Sequence, residues 1–307
     1  MSPSSFLRQS LSALLLCVLV TGVFAQAQPA PKPFEPSIGQ DGKDVVWVPT
    51  SQELVEKMLD LAKVTASDYV IDLGSGDGRT VITAAKRGAR ALGIEYNPDM
   101  VELSKRSAVS EGVAGKASFA KADLFESDFS QATVITMFLL PDINLKLRPK
   151  ILGLKPGTRI VSNTFTMGEW QEDGTATAGD ESSNYYRTAR LWIVPAKVEG
   201  TWQLAQGELT LRQSFQIVTG TLKTASNNLQ ITNGRLRGDQ LSFSAGGAVY
   251  SGRVSGSRIE GSVKAGSAVS NWSATLRAVN PVSSPKASDG RKPIFAVSFQ
   301  PINGEPA

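Results

Sequence analysis

One stretch of ten residues, 70–79, limits the fold of this chain more than any other. Its sequence, Val-Ile-Asp-Leu-Gly-Ser-Gly-Asp-Gly-Arg, is an apolar run that ends in three glycines at alternate positions, and a helical pattern follows over 80–87. Glycine permits the backbone angles of a tight turn and a close approach of the backbone to a ligand. The stretch therefore predicts a strand, a glycine turn and a helix N-terminus, an arrangement typical of nucleotide-like ligand sites.

Strand and helix patterns alternate downstream of this turn, which predicts an α/β fold. The expected architecture is a Rossmann-like, mostly parallel sheet with helices on both faces, and we assign it to residues 45–198. Such sheets bind ligands at the carboxyl ends of their strands. The further predicted strands cover 91–94, 117–121, 133–140, 159–165 and 189–194.

The last third of the chain has a different pattern. From about residue 200, short runs alternate between apolar and polar side chains and are separated by Gly, Asn and Asp. This predicts a small antiparallel all-β domain at 199–279, either a small sandwich or a partly open barrel. Residues 280–307 are rich in proline and serine and are predicted to be disordered, apart from one short strand pattern at 294–299.

The N-terminus predicts export. Arg8 precedes an apolar segment at 11–24, and Ala25-Gln26-Ala27 supplies small residues for cleavage, so residues 1–27 are typical of a signal peptide. A flexible leader is expected at 28–44. The protein would be periplasmic or secreted, with no transmembrane segment left after cleavage; the alternative is membrane anchoring by an uncleaved N-terminal segment. The net charge is +4, but the basic residues do not form runs, so no nucleic-acid partner is predicted.

The acid before the glycines distinguishes two classes of ligand. A dinucleotide fingerprint spaces its glycines G-x-G-x-x-G and binds a pyrophosphate, whereas the spacing here is G-x-G-x-G. Asp72 stands two residues before Gly74, where a carboxylate would repel phosphate but could bind an ammonium group. S-adenosylmethionine carries an ammonium and a sulfonium and no phosphate. The residues therefore favour S-adenosylmethionine as the ligand.

Two further acids fall at strand ends and complete the predicted cofactor site. Glu95 lies 21 residues after Gly74, close to the spacing at which an acid reaches ribose hydroxyls. Asp123 could accept a hydrogen bond from an adenine amino group, and Leu124 could form an apolar wall. The chain has no histidine, and no metal site is predicted. The predicted cofactor-binding residues are Asp72, Gly74, Ser75, Gly76, Gly78, Glu95, Tyr96, Asp123 and Leu124.

The glycine stretch, Gly93-Ile94-Glu95 and Ala122-Asp123-Leu124 resemble the motifs of class I S-adenosylmethionine-dependent methyltransferases over residues 45–195. With Val48-Pro49-Thr50 and the run at 136–141, the chain resembles the branch that includes the mitochondrial lysine methyltransferases of the ATP synthase c-subunit and the adenine nucleotide translocase. The resemblance implies methyl transfer from S-adenosylmethionine, with residues 138–141 near the acceptor. It does not extend to the all-β segment.

Several functional alternatives stay open at this level. Asp142, or a water held near Pro141, is the candidate base, while Asp142 could instead cap a helix over 143–151. The acceptor is either a protein, through a lysine, or a small molecule; an acidic loop at 169–181 could attract a basic acceptor or could be a solvated surface. The other hypothesis is an exported nucleoside-binding or envelope-interaction protein without turnover, with partners docking on edges of the β domain.

Overall fold

The computed structural model describes residues 34–179 and 186–277. The predicted signal peptide, the start of the leader and the C-terminal tail lie outside these residues. Within the described ranges, no helix has both the length and the apolar character needed to span a membrane. The described residues contain four helices, all in the first part of the fold: α1 (Gln52–Leu61), α2 (Arg79–Lys86), α3 (Pro98–Ser110) and α4 (Pro141–Ile151).

Within the described residues, seven strands of this part of the chain form one mixed sheet in the order β3-β2-β1-β4-β5-β7-β6. The pairs among β1 to β5 are parallel, and β7 joins β5 antiparallel, next to the edge strand β6. This confirms the predicted Rossmann-like sheet, because crossover helices connect its parallel strands. The strands are β1 (Tyr69–Leu73), β2 (Arg90–Glu95), β3 (Ala117–Lys121), β4 (Val134–Met137), β5 (Arg159–Asn163), β6 (Gly174–Thr177) and β7 (Thr188–Ile193).

The edge strand β6 lies within the segment 169–181, which the sequence predicts to be a loop. Its sequence, Gly-Thr-Ala-Thr, has no large apolar side chain, so only its pairing with β7 identifies it as a strand. Trp170, just before it, is fully buried and packs against Trp192 with ring centroids 6.3 Å apart. The prediction of a loop was therefore wrong for 174–177.

A second difference concerns the start of α1. The spacing of Thr50 and Glu53 predicts a capping box, but the N-cap is Ser51, whose hydroxyl accepts from the Leu54 amide at 3.3 Å. The Glu53 carboxylate accepts instead from the Gly179 amide, 126 residues away in the chain. The predicted capping box is therefore absent, because Glu53 makes a long-range hydrogen bond instead of a local one.

The remaining strands form a closed antiparallel barrel, more specific than the sandwich or partly open barrel predicted. Its eight strands are joined in the ring β8-β9-β10-β12-β13-β14-β15-β16, and the pairing of β16 with β8 closes it. The short β11 pairs with β10 at 221–223, on the same edge of β10 that pairs with β12 at 217–218. The strands are β8 (Gly200–Leu204), β9 (Gly207–Ser214), β10 (Ile217–Thr224), β11 (Asn228–Gln230), β12 (Thr232–Arg237), β13 (Gln240–Ala245), β14 (Ala248–Ser255), β15 (Arg258–Ala265) and β16 (Ala268–Leu276).

The barrel packs on the mixed sheet through the turn between β9 and β10. The Phe215 ring stacks on Trp170 with centroids 5.8 Å apart, and the Arg148 guanidinium lies 5.4 Å from the Phe215 centroid. Gln216, also in this turn, donates from Nε2 to the Gln171 carbonyl at 2.7 Å. The barrel therefore contacts Trp170 and Gln171, which belong to the segment that follows β5 at the carboxyl end of the sheet.

Candidate functional site

A cavity lies at the carboxyl ends of β1, β2, β3 and β4, and most of the predicted site residues follow the first three of these strands. Its lining includes every predicted cofactor residue except Gly78, which instead begins α2 as the N-cap. The residues that the sequence predicts at three separate strand ends therefore line one cavity. The predicted residues in the lining are Asp72, Gly74, Ser75, Gly76, Glu95, Tyr96, Asp123 and Leu124.

The glycine turn needs glycine because its backbone enters the left-handed region. Gly74, Gly76 and Gly78 have φ of 76°, 54° and 80°, angles that other residues adopt only with strain. The Glu95 carboxylate holds the turn: Oε2 accepts from the Gly76 amide at 2.9 Å and Oε1 from the Asn97 amide at 2.9 Å. One side chain therefore ties the turn to the start of α3.

We expect Gly78→Ala to destabilise the protein more than Gly112→Ala. Both glycines have positive φ, but a Cβ at Gly78 would lie 2.7 Å from Phe119 and 2.8 Å from Ser104, whereas one at Gly112 has nothing within 4 Å. The Gly112 variant should lose about 1 kcal/mol from backbone strain alone. The Gly78 variant should lose about 2 kcal/mol more through overpacking. Urea unfolding measures both, and equal losses would show that Phe119 and Ser104 move aside freely.

Asp72 is the most perturbed acid of the cavity. Its side chain is buried, with only 6 % exposed, and it accepts a hydrogen bond from the Thr136 hydroxyl at 2.6 Å. Burial raises the pKa of Asp72 to about 7; the hydrogen bond from Thr136 opposes this, and the negative charges of Asp77 and Glu95 add to it. A cation placed against this carboxylate would offset the burial cost. The cavity thus holds a buried acid that favours a positively charged ligand group.

A strap of residues 40–47 covers the cavity from the N-terminal side. The Gly39 amide donates to the Trp47 carbonyl at 2.8 Å and the Trp47 amide to the Gln40 carbonyl at 2.9 Å. Residues 40–44 line the cavity, although the sequence assigns them to a flexible leader. The sequence of the strap has neither a helical nor an alternating hydrophobic pattern. The apolar run Val45-Val46-Trp47 is the one feature of its sequence that indicates packing against the fold, because flexible leaders are usually polar.

Lys43 in this strap reaches the acid predicted to bind adenine. Its ammonium forms an ion pair and hydrogen bond with the Asp123 carboxylate and lies 5.2 Å from the Tyr96 ring centroid. The hydrogen bond from Lys43 holds the pKa of Asp123 below its usual range. The other carboxylate oxygen accepts from the Phe125 amide at 2.8 Å. Asp123 is therefore ionised and oriented, with Lys43 as a cationic neighbour that sequence reasoning missed.

Three aromatic rings lie together on the cavity wall. Phe138, Phe165 and Tyr186 all line the cavity. The ring centroids are 6.0 Å apart for Phe138 and Phe165, 5.1 Å for Phe138 and Tyr186, and 5.9 Å for Phe165 and Tyr186. The family resemblance implies that residues 138–141 lie near the acceptor, but it does not reveal the other two rings; Phe165 follows β5 and Tyr186 precedes β7. We call this set the aromatic triad.

Pro141 and Asp142 occupy a different position from the one predicted. They are the first two residues of α4, both are exposed, and neither lines the cavity. Asp142 is not the helix cap either, because Leu140 holds the N-cap position. The geometry gives no support to a base at Asp142, and that role stays a prediction.

The described acids of the loop 169–181 are paired within the chain. Glu169 lies 2.9 Å from Arg148, Glu172 lies 2.6 Å from Arg190, and Asp173 lies 2.6 Å from Arg235 on the barrel. The hypothesis that these acids attract a basic acceptor therefore loses its basis, since their charges already have partners. Over residues 34–179 and 186–277, no group of three or more His, Cys, Asp or Glu side chains is arranged to hold a metal ion.

Comparisons with known proteins point to one family. Residues 72–174 match the family model described as the ANTKMT methyltransferase domain. A protein-lysine N-methyltransferase of Saccharolobus islandicus is 42 % identical over 49 % of this chain and 94 % of its own length. The human lysine N-methyltransferase of the ATP synthase c-subunit is 33 % identical over 58 % of this chain and 77 % of its own length.

Among solved structures, an RNA methyltransferase from Salinibacter ruber in complex with S-adenosyl-L-homocysteine is 44 % identical. The alignment covers 49 % of this chain and 96 % of that one, with a TM-score of 0.46. The family model ends at residue 174, before the first barrel strand.

Proposed function

Because this chain belongs to the ANTKMT family of S-adenosylmethionine-dependent protein-lysine methyltransferases, we propose that its methyl acceptor is the side-chain amine of a lysine in another protein. The chain is a methyltransferase, and S-adenosylmethionine is its cofactor. The lysine acceptor of this chain is the part that is proposed.

The cavity suits this cofactor by the chemistry of its groups. A buried carboxylate at Asp72 can pair with the cofactor ammonium, and the Glu95 carboxylate, already fixed by two backbone amides, can accept from ribose hydroxyls. Asp123 can accept from the adenine amino group beside Leu124. When bound, S-adenosylmethionine supplies an electrophilic methyl group on a sulfonium. No phosphate needs to be accommodated, which agrees with an acid next to the glycine turn.

The aromatic triad is the observation that carries the assignment of a lysine acceptor. Aromatic faces attract an alkyl-ammonium group, and their apolar bodies pack on its methylene stem. Partial removal of water also lowers the pKa of an amine, which favours the neutral nucleophile. The lysine nitrogen then forms a bond to the methyl carbon as the carbon–sulfur bond breaks, and its proton leaves to solvent. Positioning and exclusion of water by the triad are the protein's main contributions.

Replacing a triad ring by leucine should weaken acceptor binding and leave cofactor binding intact. We expect Phe165→Leu to raise the KM for a lysine-containing protein acceptor roughly five- to tenfold, the size of one or two cation–π contacts, because leucine keeps apolar volume but has no π face. Phe165→Tyr keeps the ring and is the matched control. Steady-state methylation and cofactor titration measure the two effects; equal KM values for the leucine and tyrosine variants would contradict the role of the triad.

The proposal as a whole is tested by methylation of a protein extract with isotope-labelled S-adenosylmethionine. We expect label on lysine residues of protein, located by mass spectrometry of the digested products. Tight cofactor binding with no transfer to protein would contradict the proposal and favour a binding protein without turnover. Label confined to RNA or to small molecules would contradict the lysine acceptor while keeping the methyltransferase activity.

We also propose that the protein is exported, on the signal-peptide pattern of residues 1–27. The N-terminal sequence of the mature protein tests this. A start near residue 28 supports export, and an intact Met1 argues against it.

A further inference from the structure

Strand β16 closes the barrel with only three of its residues, and the rest of its edge on the β8 side is open within the described residues. Strand β16 pairs with β15 along its whole length but with β8 only at Ala274, Thr275 and Leu276. Over residues 268–273, no strand within the described ranges lies on the β8 side. The Arg277 amide donates to the Thr201 carbonyl on that side. Because hydrogen-bonding direction alternates along a strand, the amides and carbonyls of Val269, Asn271 and Ser273 point to the open edge.

A cavity adjoins this edge, formed where β16 continues past the turn between β8 and β9. Leu204 and Leu222 contribute apolar walls, and Tyr250 and Trp272 contribute aromatic ones. The Tyr250 and Trp272 rings are perpendicular, with centroids 5.6 Å apart. Trp272 Nε1 donates to the carbonyls of Ser251 and Ser262 at 3.0 and 3.1 Å, so the indole is held in place with its polar atom satisfied.

The outer side of the same edge is polar. Arg258, Glu260, Asn271 and Ser273 line the cavity from this side. A strand added to β16 would therefore place alternate side chains against the aromatic walls and the others toward polar groups and solvent. The site favours an extended segment about six residues long with large apolar side chains at every second position.

We propose that residues 294–299 of this same chain occupy the open edge of β16 as an added strand. Their sequence is Ile-Phe-Ala-Val-Ser-Phe, so in an extended strand Phe295, Val297 and Phe299 would share one face, and Ile294, Ala296 and Ser298 would share the other. The segment is as long as the open edge, and its aromatic and β-branched residues are those that strands favour. The face with the two phenylalanines matches the aromatic inner side, and Ala296 and Ser298 match the polar outer side.

The connection from the barrel is long enough for this pairing. The tail begins after Arg277, whose backbone amide donates a hydrogen bond to the Thr201 carbonyl and whose guanidinium forms an ion pair with Glu208 at 2.9 Å. The open edge starts about 4 residues back along the strand, roughly 13 Å away, and extends to about 30 Å. As a random coil, a stretch of the length of residues 278–293 would have a root-mean-square span of roughly 22 Å. This is close to the distance required, where the effective concentration of a tethered segment is highest.

Hydrogen exchange of the β16 amides in the full chain tests the proposal. We expect the amides of Val269, Asn271 and Ser273 to be protected in the natural chain and to exchange at least tenfold faster in Val297→Pro, because proline removes a donor and disrupts an added strand. Val282→Pro places the same substitution in the linker and should leave protection unchanged. The amides that β16 shares with β15 report on the barrel itself and should not change in either variant.

Each other outcome overturns the proposal in a recognisable way. Fast exchange at the three amides in the natural chain would show that the edge is open. Protection that is the same in Val297→Pro would assign the edge to another occupant. Protection that disappears on dilution, together with a dimer in sedimentation, would assign it to the β16 edge of a second copy.

Discussion

Asp72→Asn is expected to abolish tight binding of S-adenosylmethionine and, at pH 8, to make the protein without cofactor more stable. The substitution keeps the shape of the side chain and a carbonyl oxygen for the Thr136 hydroxyl, which lies 2.6 Å away. It removes the charge that would pair with the cofactor ammonium. Loss of a charged hydrogen-bonded pair in a buried site costs about 3 kcal/mol or more, so the Kd should rise at least roughly 100-fold.

The gain in stability follows from the direction of the pKa shift. Burial raises the pKa of Asp72 to about 7 from 3.8, so the folded chain binds this proton more tightly than the unfolded chain. The favourable contribution is fully present below pH 3.8 and is lost as the pH rises through 7. At pH 8 the ionised carboxylate therefore destabilises the fold by a few kcal/mol at roughly 1.4 kcal/mol per pKa unit. Asparagine removes this cost at pH 8 and should give no gain near pH 4.

The same group makes cofactor affinity depend on pH. Below pH 7 the carboxylic acid must lose its proton before it can pair with an ammonium group, so the Kd should rise by about tenfold per pH unit below 7 and level off above 8. Calorimetric titration at pH 6, 7 and 8 measures this, and thermal unfolding at pH 8 measures the stability. Asp99→Asn, an exposed acid in the first turn of α3, is the charge-matched control. An unchanged Kd in Asp72→Asn would contradict the role of Asp72.

The parts of the site that sequence reasoning reached are those that neighbouring residues determine. Asp72, Gly74 and Glu95 each stand where a short apolar strand ends, and parallel pairing alone brings these ends together. The Asn-Pro-Asp start that predicts the cap of α3 is also confirmed, since Asn97 accepts from the Asp99 amide and Pro98 begins the helix. Such features need only local patterns and the general geometry of a parallel sheet.

The features that were missed depend on contacts between distant residues. Lys43 meets Asp123 across 80 residues of chain, and nothing in the composition of 28–44 distinguishes a strap from a leader. The aromatic triad assembles rings that follow β4, follow β5 and precede β7. Closure of the barrel depends on three residue pairs between β8 and β16, while period-two alternation is the same in a sandwich and a barrel.

The second large effect is expected at Glu95, because its two carboxylate oxygens serve two different backbone amides. Oε2 accepts from Gly76 in the glycine turn, and Oε1 accepts from Asn97 before α3, each at 2.9 Å. A glutamine of the same size offers one oxygen and one NH2 group. In either orientation of the glutamine side-chain amide, its NH2 group faces the backbone N–H of Gly76 or of Asn97, so two donors oppose each other. The glycine turn should therefore move away from β2, and the acceptor for the ribose hydroxyls is weakened at the same time.

Glu95→Gln should raise the Kd for S-adenosylmethionine roughly 100-fold, which corresponds to about 3 kcal/mol for a charged hydrogen bond lost and an amide left without an acceptor. Unlike Asp72→Asn, it should also lower stability at pH 8, because Glu95 stabilises the turn and the start of α3 before any cofactor binds. We expect similar losses of affinity in the two variants but changes of opposite sign in the melting temperature. That result would show that Asp72 mainly binds the cofactor, whereas Glu95 also stabilises the structure of the site. If both variants shift stability in the same direction, this division of roles between the two acids is wrong.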